Sequence, residues 1–352
     1  MNSVNKNGVP VIGISGFSGS GKTTLIEQLI PLLIAKGLQV AVLKSDAHGL
    51  VMDTPGKDSY RFFEAGADVF IHDSNQSCLR HHLGNPLFLP DIVKVLSKTN
   101  DLILVEGYKS GHLPNKIWLL NDGEKSAPTE IGDFSLVLSR ECDRVVALEK
   151  LIEQLLSQVL GAQPIWCGVL IGGKSSRMGE PKHLLKMGDQ TWIEKIVATV
   201  DGLVNGVALL GRGELPGTLS ETIPVIPDAP DRQGPIAALT AAMRWNPDVS
   251  WLILSCDLPY ITKEAVNWLL AQRTVGQTAV IPVLDKPEPL FAWYHPRSKE
   301  YLEQAHAPRD ILKAPRVAKV VPSATIRTAW HNINTPQQLE ADLGHDACGF
   351  LS

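Results

Sequence analysis

The hydrophobic positions follow one pattern twice along the chain. Residues 9–15 (VPVIGIS) are apolar and β-branched and lead into a glycine-rich stretch, after which leucines recur at helical spacing over residues 23–36. The same order returns at residues 165–171 (IWCGVLI), in a second glycine-rich turn and over residues 192–200. Each occurrence predicts a strand, a glycine loop and a helix in succession.

The second occurrence starts near the middle of the chain, and the stretch before it predicts a connection. Residues 145–160 (VVALEKLIEQLLSQVL) form a predicted amphipathic helix, and the Gly-Ala-Gln-Pro at residues 161–164 predicts its end and a linker. In both halves apolar runs alternate with helical stretches, which is typical of βαβ units. We therefore expect two α/β domains, at residues 1–160 and 165–352, with mostly parallel sheets and helices on both faces.

Length and composition agree with two soluble domains. A chain of 352 residues exceeds the roughly 250 at which single cores usually stop growing. Its 44% of hydrophobic and 20% of charged residues argue against a disordered or fibrous chain. The net charge of −4 provides no field that would attract nucleic acid or a membrane surface, so local groups must hold any anionic ligand.

Cysteine usage and the start of the chain favour the cytoplasm. The 5 cysteines include no Cys-x-x-Cys pair, which makes a disulfide framework or a zinc site a poor interpretation. The first ten residues lack the apolar core of a signal peptide, and no apolar run approaches the ~18 residues of a membrane span. We expect a cytoplasmic protein without nucleic-acid or membrane partners.

The first glycine loop has the pattern of a phosphate-binding loop. Residues 16–23 read GFSGSGKT and match G-x-x-x-x-G-K-[ST] between a predicted strand and a predicted helix. In such a loop backbone N–H groups surround phosphate oxygens, the lysine reaches the terminal phosphates, and the hydroxyl that follows can ligate Mg²⁺. The predicted nucleotide-binding residues are Gly16, Gly19, Ser20, Gly21, Lys22, Thr23 and Thr24.

A carboxylate is predicted beside this loop. Residues 101–107 (DLILVEG) form an apolar strand that ends with Glu106. Chain order favours a position near the loop, where Glu106 and Thr23 together could hold Mg²⁺. The alternative is an acidic residue that leaves a buried strand without a metal role. No Asn-Lys-x-Asp segment for reading guanine occurs in this half, so its residues leave the base open.

The second glycine loop predicts a different phosphate chemistry. Residues 170–185 (LIGGKSSRMGEPKHLL) lack the Gly-Lys-Ser/Thr ending but combine glycines with cations after a strand. Nucleotidyl transfer needs this combination, because the triphosphate must be held extended while its α-phosphorus stays open to attack. Arg177 offers a planar fork for phosphate oxygens and Lys182 a point charge, so both are predicted to be catalytic. The residues predicted around the nucleotide are Leu170, Ile171, Gly172, Gly173 and Lys182.

Four more polar residues in the second half are candidates for the same site. Asp257 follows an apolar strand at the sheet edge where parallel sheets bind ligands, and is predicted to be catalytic and to bind Mg²⁺ and nucleotide; a helix cap is the alternative. Asp228 could read the guanine or the ribose, or form an Asx-turn. Asn332 and Asn334 could orient the acceptor, or cap the last helix.

Three segments of the first half resemble one known family. The phosphate-binding loop, PGKDSYRFFEAGA at residues 55–67 and LILVEGYK at residues 102–109 are similar to the molybdopterin-guanine dinucleotide biosynthesis adapter family. The resemblance covers about residues 9–120. It implies a P-loop NTPase-like domain that binds GTP and serves as an adapter.

Four segments of the second half resemble the molybdenum cofactor guanylyltransferases. They are the glycine loop, Asp228 before Gly-Pro-Ile-Ala, the SCDLPY at residues 255–260 and the NINTP at residues 332–336. This resemblance implies a Rossmann-like nucleotidyltransferase domain that transfers GMP from GTP to Mo-molybdopterin, releases pyrophosphate and uses Mg²⁺ as its cofactor. It also implies molybdopterin-inserting proteins and molybdoenzyme apoproteins as partners.

Two other functions remain open at this stage. The glycine loop is shared by nucleotidyltransferases at large, so a cytidylyl- or sugar-nucleotidyltransferase fused to a P-loop domain is one alternative. The Gly-Gly at residues 172–173 favours guanine, because cytidylyl relatives more often have Ala-Gly there. The other alternative is a GTP-binding regulatory module attached to an inactive transferase.

Overall fold

The chain divides into two compact units. The computed structural model describes residues 8–44, 54–80, 89–108, 113–171, 181–220, 223–333 and 338. The first unit is Met1–Val159 and the second is Leu160–Ser352. The predicted domain limits, 1–160 and 165–352, stay predictions.

The first unit is built around one parallel sheet. Its strands are β1 (Val11–Ser15), β2 (Val40–Lys44), β3 (Val69–His72), β4 (Ser77–Arg80), β5 (Leu102–Glu106), β6 (Asn115–Leu119) and β7 (Leu136–Leu138). Its helices are α1 (Lys22–Ala35), α2 (Asp58–Glu64), α3 (Leu89–Leu96) and α4 (Arg144–Ala162), the last of which continues past the end of the unit. Strands β3 and β4 form a separate antiparallel pair that the hydrophobic pattern did not predict.

Strand order places the first glycine loop at the centre of this sheet. The order is β2-β5-β1-β6-β7, and all four pairings are parallel. Every residue of β1 is buried, as expected for a central strand covered on both faces. The neighbouring β5 ends at Glu106, so this carboxylate and the loop after β1 lie at the same sheet edge.

The second unit is larger and contains one mixed sheet. The strands of this unit are β8 (Ile165–Leu170), β9 (Lys186–Met187), β10 (Gln190–Thr191), β11 (Gly206–Leu210), β12 (Val225–Ile226), β13 (Ser250–Ser255), β14 (Ala279–Pro282), β15 (Phe291–Tyr294) and β16 (Val317–Val320). Strands β9 and β10 form a separate antiparallel pair. The helices of this unit are α5 (Trp192–Val200), α6 (Gly217–Ser220), α7 (Pro235–Trp245), α8 (Lys263–Ala271) and α9 (Lys299–Leu302).

Helices cover both faces of the second unit's sheet. The sheet order is β12-β11-β8-β13-β15-β14-β16, and β15 is antiparallel to both of its neighbours. Side chains of β13 alternate between two cores: Leu252 and Leu254 pack with α5 and α8, whereas Trp251 and Ile253 pack with α7. Burying each such side chain stabilises the fold by about 1.5–3 kcal/mol. The predicted α/β architecture with mostly parallel sheets is confirmed.

The predicted helix at residues 145–160 is longer than its sequence pattern indicated. Helix α4 runs from Arg144 to Ala162, so Gly161 is helical and does not end the helix. A helical glycine costs only about 1 kcal/mol relative to alanine, whereas Pro164 disfavours the helical conformation for the residue before it. Among the helices that the structure describes, none combines the length and the apolar character of a membrane crossing.

Candidate functional site

The first glycine loop turns the chain sharply from β1 into α1. Gly21 precedes α1 with a φ of 85°, a left-handed conformation that residues with a Cβ rarely adopt. At Gly16 an added Cβ would lie 2.8 Å from the carbonyl oxygen of Leu119, so the loop packs closely against the end of β6. The loop leads directly into the first turn of a 14-residue helix, whose N–H groups form an anion site. Ser20 is buried, and Thr24 is exposed.

The side chain of Lys22 lies over the loop that precedes it. Its Nζ donates hydrogen bonds to the carbonyl oxygens of Gly16, at 3.1 Å, and Phe17, at 2.9 Å. A lysine held over the loop by carbonyl dipoles can exchange them for phosphate oxygens, which carry full charge. This placement suits the predicted role of Lys22 at the terminal phosphates.

Thr23 and Glu106, which the sequence pattern assigned to one metal, lie together. The Thr23 hydroxyl donates a hydrogen bond of 2.7 Å to the Glu106 carboxylate, although the residues are 83 positions apart in the chain. Hydroxyl and carboxylate oxygens are ligands that Mg²⁺ accepts beside nucleotide phosphates. Their metal role stays a prediction.

Cationic and amide side chains that the sequence analysis did not identify also hold this loop. Arg144, at the start of α4, donates to the carbonyl oxygen of Ser20 at 2.7 Å and, through the same guanidinium, to the carbonyls of Leu120, Leu138 and Ser139. Arg140 donates to Gly19 at 2.7 Å, and Asn121 donates to Ser18 at 3.1 Å. These residues follow β6 and β7, and the sequence alone does not reveal that both strands end beside the loop.

The tip of the loop is anchored by an aromatic contact. The Phe17 ring meets the buried Trp118 ring of β6 edge to face, with 5.2 Å between the centroids. Such pairs contribute about 0.5–1.5 kcal/mol beyond the burial of their surface. The loop is therefore fixed at its tip as well as at its ends.

In the second unit several of the predicted site residues lie at the ends of two central strands. Strands β8 and β13 are parallel neighbours, and the Cys256 N–H donates to the carbonyl oxygen of Leu170 at 3.1 Å. Ile171 is buried and donates to Leu210 at the end of β11. Leu170, Ile171 and Asp257 therefore lie at the carboxyl edge of the sheet, where open α/β sheets bind ligands.

Lys182 and Asp257 meet at this edge. The Lys182 Nζ lies 3.8 Å from Oδ2 of Asp257 and donates a 3.1 Å hydrogen bond to the carbonyl oxygen of Ile333. The Ile333 N–H in turn donates to the Asp257 carbonyl oxygen at 3.1 Å. Only 18% of the Lys182 side chain and 21% of the Asp257 side chain are exposed, so solvent screens their charges weakly. Three segments distant in the chain thus form one site.

The second carboxylate oxygen of Asp257 fits a cation. Oδ1 is buried and accepts no hydrogen bond from the residues that the structure describes. A buried charged oxygen without a partner is costly, and a bound Mg²⁺ would satisfy it. No group of three or more His, Cys, Asp or Glu side chains suited to a metal occurs in the described part of the chain. One carboxylate together with phosphate and water oxygens is a usual ligand set for this ion, and the metal role of Asp257 stays a prediction.

A cavity of about 390 Å³ opens beside Asp257. Asn332, one of the predicted acceptor residues, lines it, and so do Glu288 and Arg309, which the sequence analysis did not identify. The pKa of the Glu288 carboxyl is raised above its ordinary value, mainly because the group is partly buried and secondly because the negative charge of Asp257 lies nearby. The short hairpin that carries Glu288 has no motif that would have marked it in the sequence.

Asp228 lies away from this centre. It follows the edge strand β12 and is exposed, and two strands separate β12 from β13. Its carboxylate has neither a hydrogen-bond nor an ion-pair partner among the described residues, so its role in reading the base stays a prediction. Its loop is attached through Arg232, which donates to the carbonyl oxygens of Glu303 and Ala305.

Part of the predicted site lies outside the described residues. This applies to Gly172, Gly173 and Arg177 of the second glycine loop and to Asn334 of the carboxy-terminal motif. Their predicted roles in nucleotide binding, catalysis and acceptor binding stay predictions.

Comparison with known proteins gives a separate match for each half. Residues 11–138 match the family described as Molybdopterin guanine dinucleotide synthesis protein B, and residues 167–320 match the MobA-like NTP transferase domain. A molybdopterin-guanine dinucleotide biosynthesis adapter protein of Haemophilus influenzae is 37% identical over 135 residues, which are 38% of this chain and 75% of the relative. A probable molybdenum cofactor guanylyltransferase of Bacillus cereus is 30% identical over 197 residues, which are 51% of this chain and 98% of the relative.

A solved structure is also similar to half of this chain. The molybdopterin-guanine dinucleotide biosynthesis protein A of Archaeoglobus fulgidus matches with a TM-score of 0.43 and 24% identity, over 50% of this chain and 95% of that one. The two family matches follow one another along the chain without overlap. The chain therefore belongs with its first half to the molybdopterin-guanine dinucleotide biosynthesis adapter family and with its second half to the molybdenum cofactor guanylyltransferases, a family of nucleotidyltransferases.

Proposed function

We propose that the second unit transfers GMP from GTP to the terminal phosphate of Mo-molybdopterin and releases pyrophosphate. The single observation that supports this reaction best is the meeting of Lys182 and Asp257, 3.8 Å apart, at the sheet edge beside a cavity of about 390 Å³. A cation and a metal-binding carboxylate at one point suit a triphosphate, and the cavity offers room for an acceptor. The names of the relatives supply the two substrates.

The reaction needs positioning more than a protein nucleophile. An acceptor phosphate oxygen attacks the α-phosphorus of GTP, and the bond from that phosphorus to the oxygen bridging to the β-phosphate breaks. Pyrophosphate leaves with the electron pair of that bond. Because the acceptor phosphate is already a competent nucleophile, no Ser-His-Asp arrangement is required. Lys182 would neutralise charge on the phosphates as it develops, and Arg177 would add a second cation.

The residues present fit Mg²⁺ as the cofactor of this unit. Asp257 would hold the ion through Oδ1, the buried oxygen that lacks a hydrogen-bond partner among the described residues. When bound, Mg²⁺ neutralises triphosphate charge and favours departure of pyrophosphate. Lys182 then keeps the Asp257 carboxylate oriented from its other side.

The first unit is proposed to bind GTP and to act as an adapter for the transfer. Lys22 would bind the terminal phosphates, while Thr23 and Glu106 would hold Mg²⁺. Their 2.7 Å hydrogen bond supports this role, because it brings two oxygens of the right kind beside the glycine loop. The adapter would stimulate the transfer or deliver its product.

Partners and location belong to the same proposal. Molybdopterin-inserting proteins and molybdoenzyme apoproteins would supply the acceptor and receive the product. A cytoplasmic site of action fits cysteines that form no Cys-x-x-Cys pair.

The reaction is tested with the purified full-length chain, Mg²⁺ and molybdenum-loaded molybdopterin. GTP, CTP or ATP is supplied in turn, pyrophosphate is quantified, and the pterin product is weighed by mass spectrometry. We expect a pterin product that is heavier by one GMP unit when GTP is supplied, and no adduct when CTP or ATP is supplied. A CMP adduct would favour the cytidylyl alternative, and the absence of any adduct would contradict an active transferase.

A further inference from the structure

Glu288 lies on the wall of the cavity beside Asp257 and is fixed there by its backbone. It belongs to the connection between β14 and β15, where its N–H donates to the carbonyl oxygen of Pro282 at 2.9 Å. Its own carbonyl accepts a 3.2 Å hydrogen bond from the N–H of Phe291. Both anchors are strand residues of the central sheet, so the Glu288 side chain has a rigid base.

The Glu288 carboxylate is in a demanding environment. It makes no ion pair and no side-chain hydrogen bond with the part of the chain that the structure describes. The charge of Asp257 opposes its own, and the charge of Lys286 offsets this repulsion in part. The cavity wall around it is largely apolar and includes Leu258, Pro289 and Phe291. A half-buried carboxylate in such surroundings is stabilised when a ligand donates hydrogen bonds to it.

The acceptor of the proposed transfer carries a matching group. The pyrimidinone edge of a pterin presents a 2-amino N–H and an adjacent ring N–H side by side, and a carboxylate accepts both with its two oxygens. The apolar walls suit the faces of a flat ring system. Asp257 lies on the same cavity wall, so a phosphate on the same acceptor has a route to the transfer site.

We propose that Glu288 selects the acceptor by accepting two hydrogen bonds from the pyrimidinone edge of its pterin. The inference rests on the proposed function, because it concerns the acceptor of that reaction. It assigns a specificity role to Glu288, whereas Lys182 and Asp257 act on the triphosphate.

The first test replaces one carboxylate oxygen without changing size. In Glu288→Gln one oxygen becomes an NH₂ group, which opposes a donor of the pterin edge. We expect the KM for Mo-molybdopterin to rise by about 10- to 100-fold, the usual range for a hydrogen bond to a charged group. The KM for GTP and the Mg²⁺ concentration for half-maximal rate should stay unchanged. Asp285→Asn is the matched control, because Asp285 lies in the same connection with 95% of its side chain exposed and should not alter either KM.

The second test needs no variant and therefore does not depend on whether Glu288→Gln folds. Pterin, which has the 2-amino group, and lumazine, which has an oxygen in its place, are compared as inhibitors of the wild-type transfer. We expect pterin to inhibit at lower concentration, and Glu288→Gln to lose this preference.

Each other outcome has a distinct meaning. An unchanged KM for the acceptor, equal inhibition by pterin and lumazine, or a higher Mg²⁺ requirement in Glu288→Gln would overturn the role of Glu288. A wild-type chain that forms no GMP adduct of molybdopterin would instead overturn the proposed function itself.

Discussion

Lys182 joins three segments of the second unit, and its replacement is the most direct test at the scale of single residues. Lys182→Ala removes the cation that is proposed to neutralise charge on the phosphates, and we expect kcat for GMP transfer to fall by at least about 10²-fold, as when one preorganised transition-state donor is removed. Pyrophosphate release under saturating GTP measures the effect. Lys186→Ala, at an exposed lysine four positions along, is the control and should retain the wild-type rate. Full activity of Lys182→Ala would refute the assignment.

Asp257 makes a separate prediction about the metal. Asp257→Asn keeps the side-chain shape but removes the negative charge that is proposed to hold Mg²⁺, so the Mg²⁺ concentration for half-maximal activity should rise at least about tenfold, the order of change seen when metal-site partners are altered. Its Oδ1 position, buried and without a described hydrogen-bond partner, is the physical reason. A Mg²⁺ titration of pyrophosphate release is the measurement. An unaltered Mg²⁺ requirement with reduced kcat would show that Asp257 acts without the metal.

Short motifs identified the charged residues of both sites, but not the groups that orient them. Thr23 and Glu106 could be paired from the sequence because a phosphate-binding loop and a later strand end have a known chain order. The carbonyl oxygen of Ile333, which accepts from Lys182, could not be predicted in this way. A backbone carbonyl carries no residue-type signal, and 151 positions separate it from Lys182.

At the scale of elements, helix α4 fixes the first glycine loop. The guanidinium of Arg144 donates to carbonyl oxygens of the loop and of the segments after β6 and β7. In Arg144→Met these carbonyls lose a charged donor, and we expect the first unit to lose about 1.5–3 kcal/mol of stability. Urea unfolding of the full chain, with and without GTP, measures the loss. Lys150→Met, at an exposed position of the same helix, should unfold like the wild type.

Helices and central strands could be predicted because the spacing of their apolar residues reflects which of their faces is buried. Helix α5 was predicted at its observed limits, Trp192–Val200, since its apolar face is a local signal. The antiparallel strand β15 had no such signal, because strand direction depends on connections and neighbours. Glu288 could not be predicted as a site residue for the same reason, because it lies in the connection between β14 and β15 and its position depends on the direction of β15.

At the scale of the whole molecule, the chain should bind two molecules of GTP. A calorimetric titration with a non-hydrolysable GTP analogue and Mg²⁺ should give two sites per chain, because the sequence predicts a phosphate-binding loop in each half. Lys22→Ala should leave one site, whereas Lys182→Ala should keep both sites and weaken the one in the second unit. The rate of GMP transfer should fall in Lys182→Ala and stay largely unchanged in Lys22→Ala. Two remaining sites in Lys22→Ala would contradict a nucleotide site in the first unit.

The packing of Phe17 on Trp118 has an optical consequence. Trp118 is the only one of the 8 tryptophans that lies before residue 160, and its ring touches the tip of the first glycine loop. Indole emission depends on the immediate surroundings of the ring, so a nucleotide that moves Phe17 changes the fluorescence of this one chromophore. Any GTP-dependent change that disappears in Trp118→Phe reports occupancy of the first unit while the second continues its chemistry. The chain thus carries its own spectroscopic label for the adapter half.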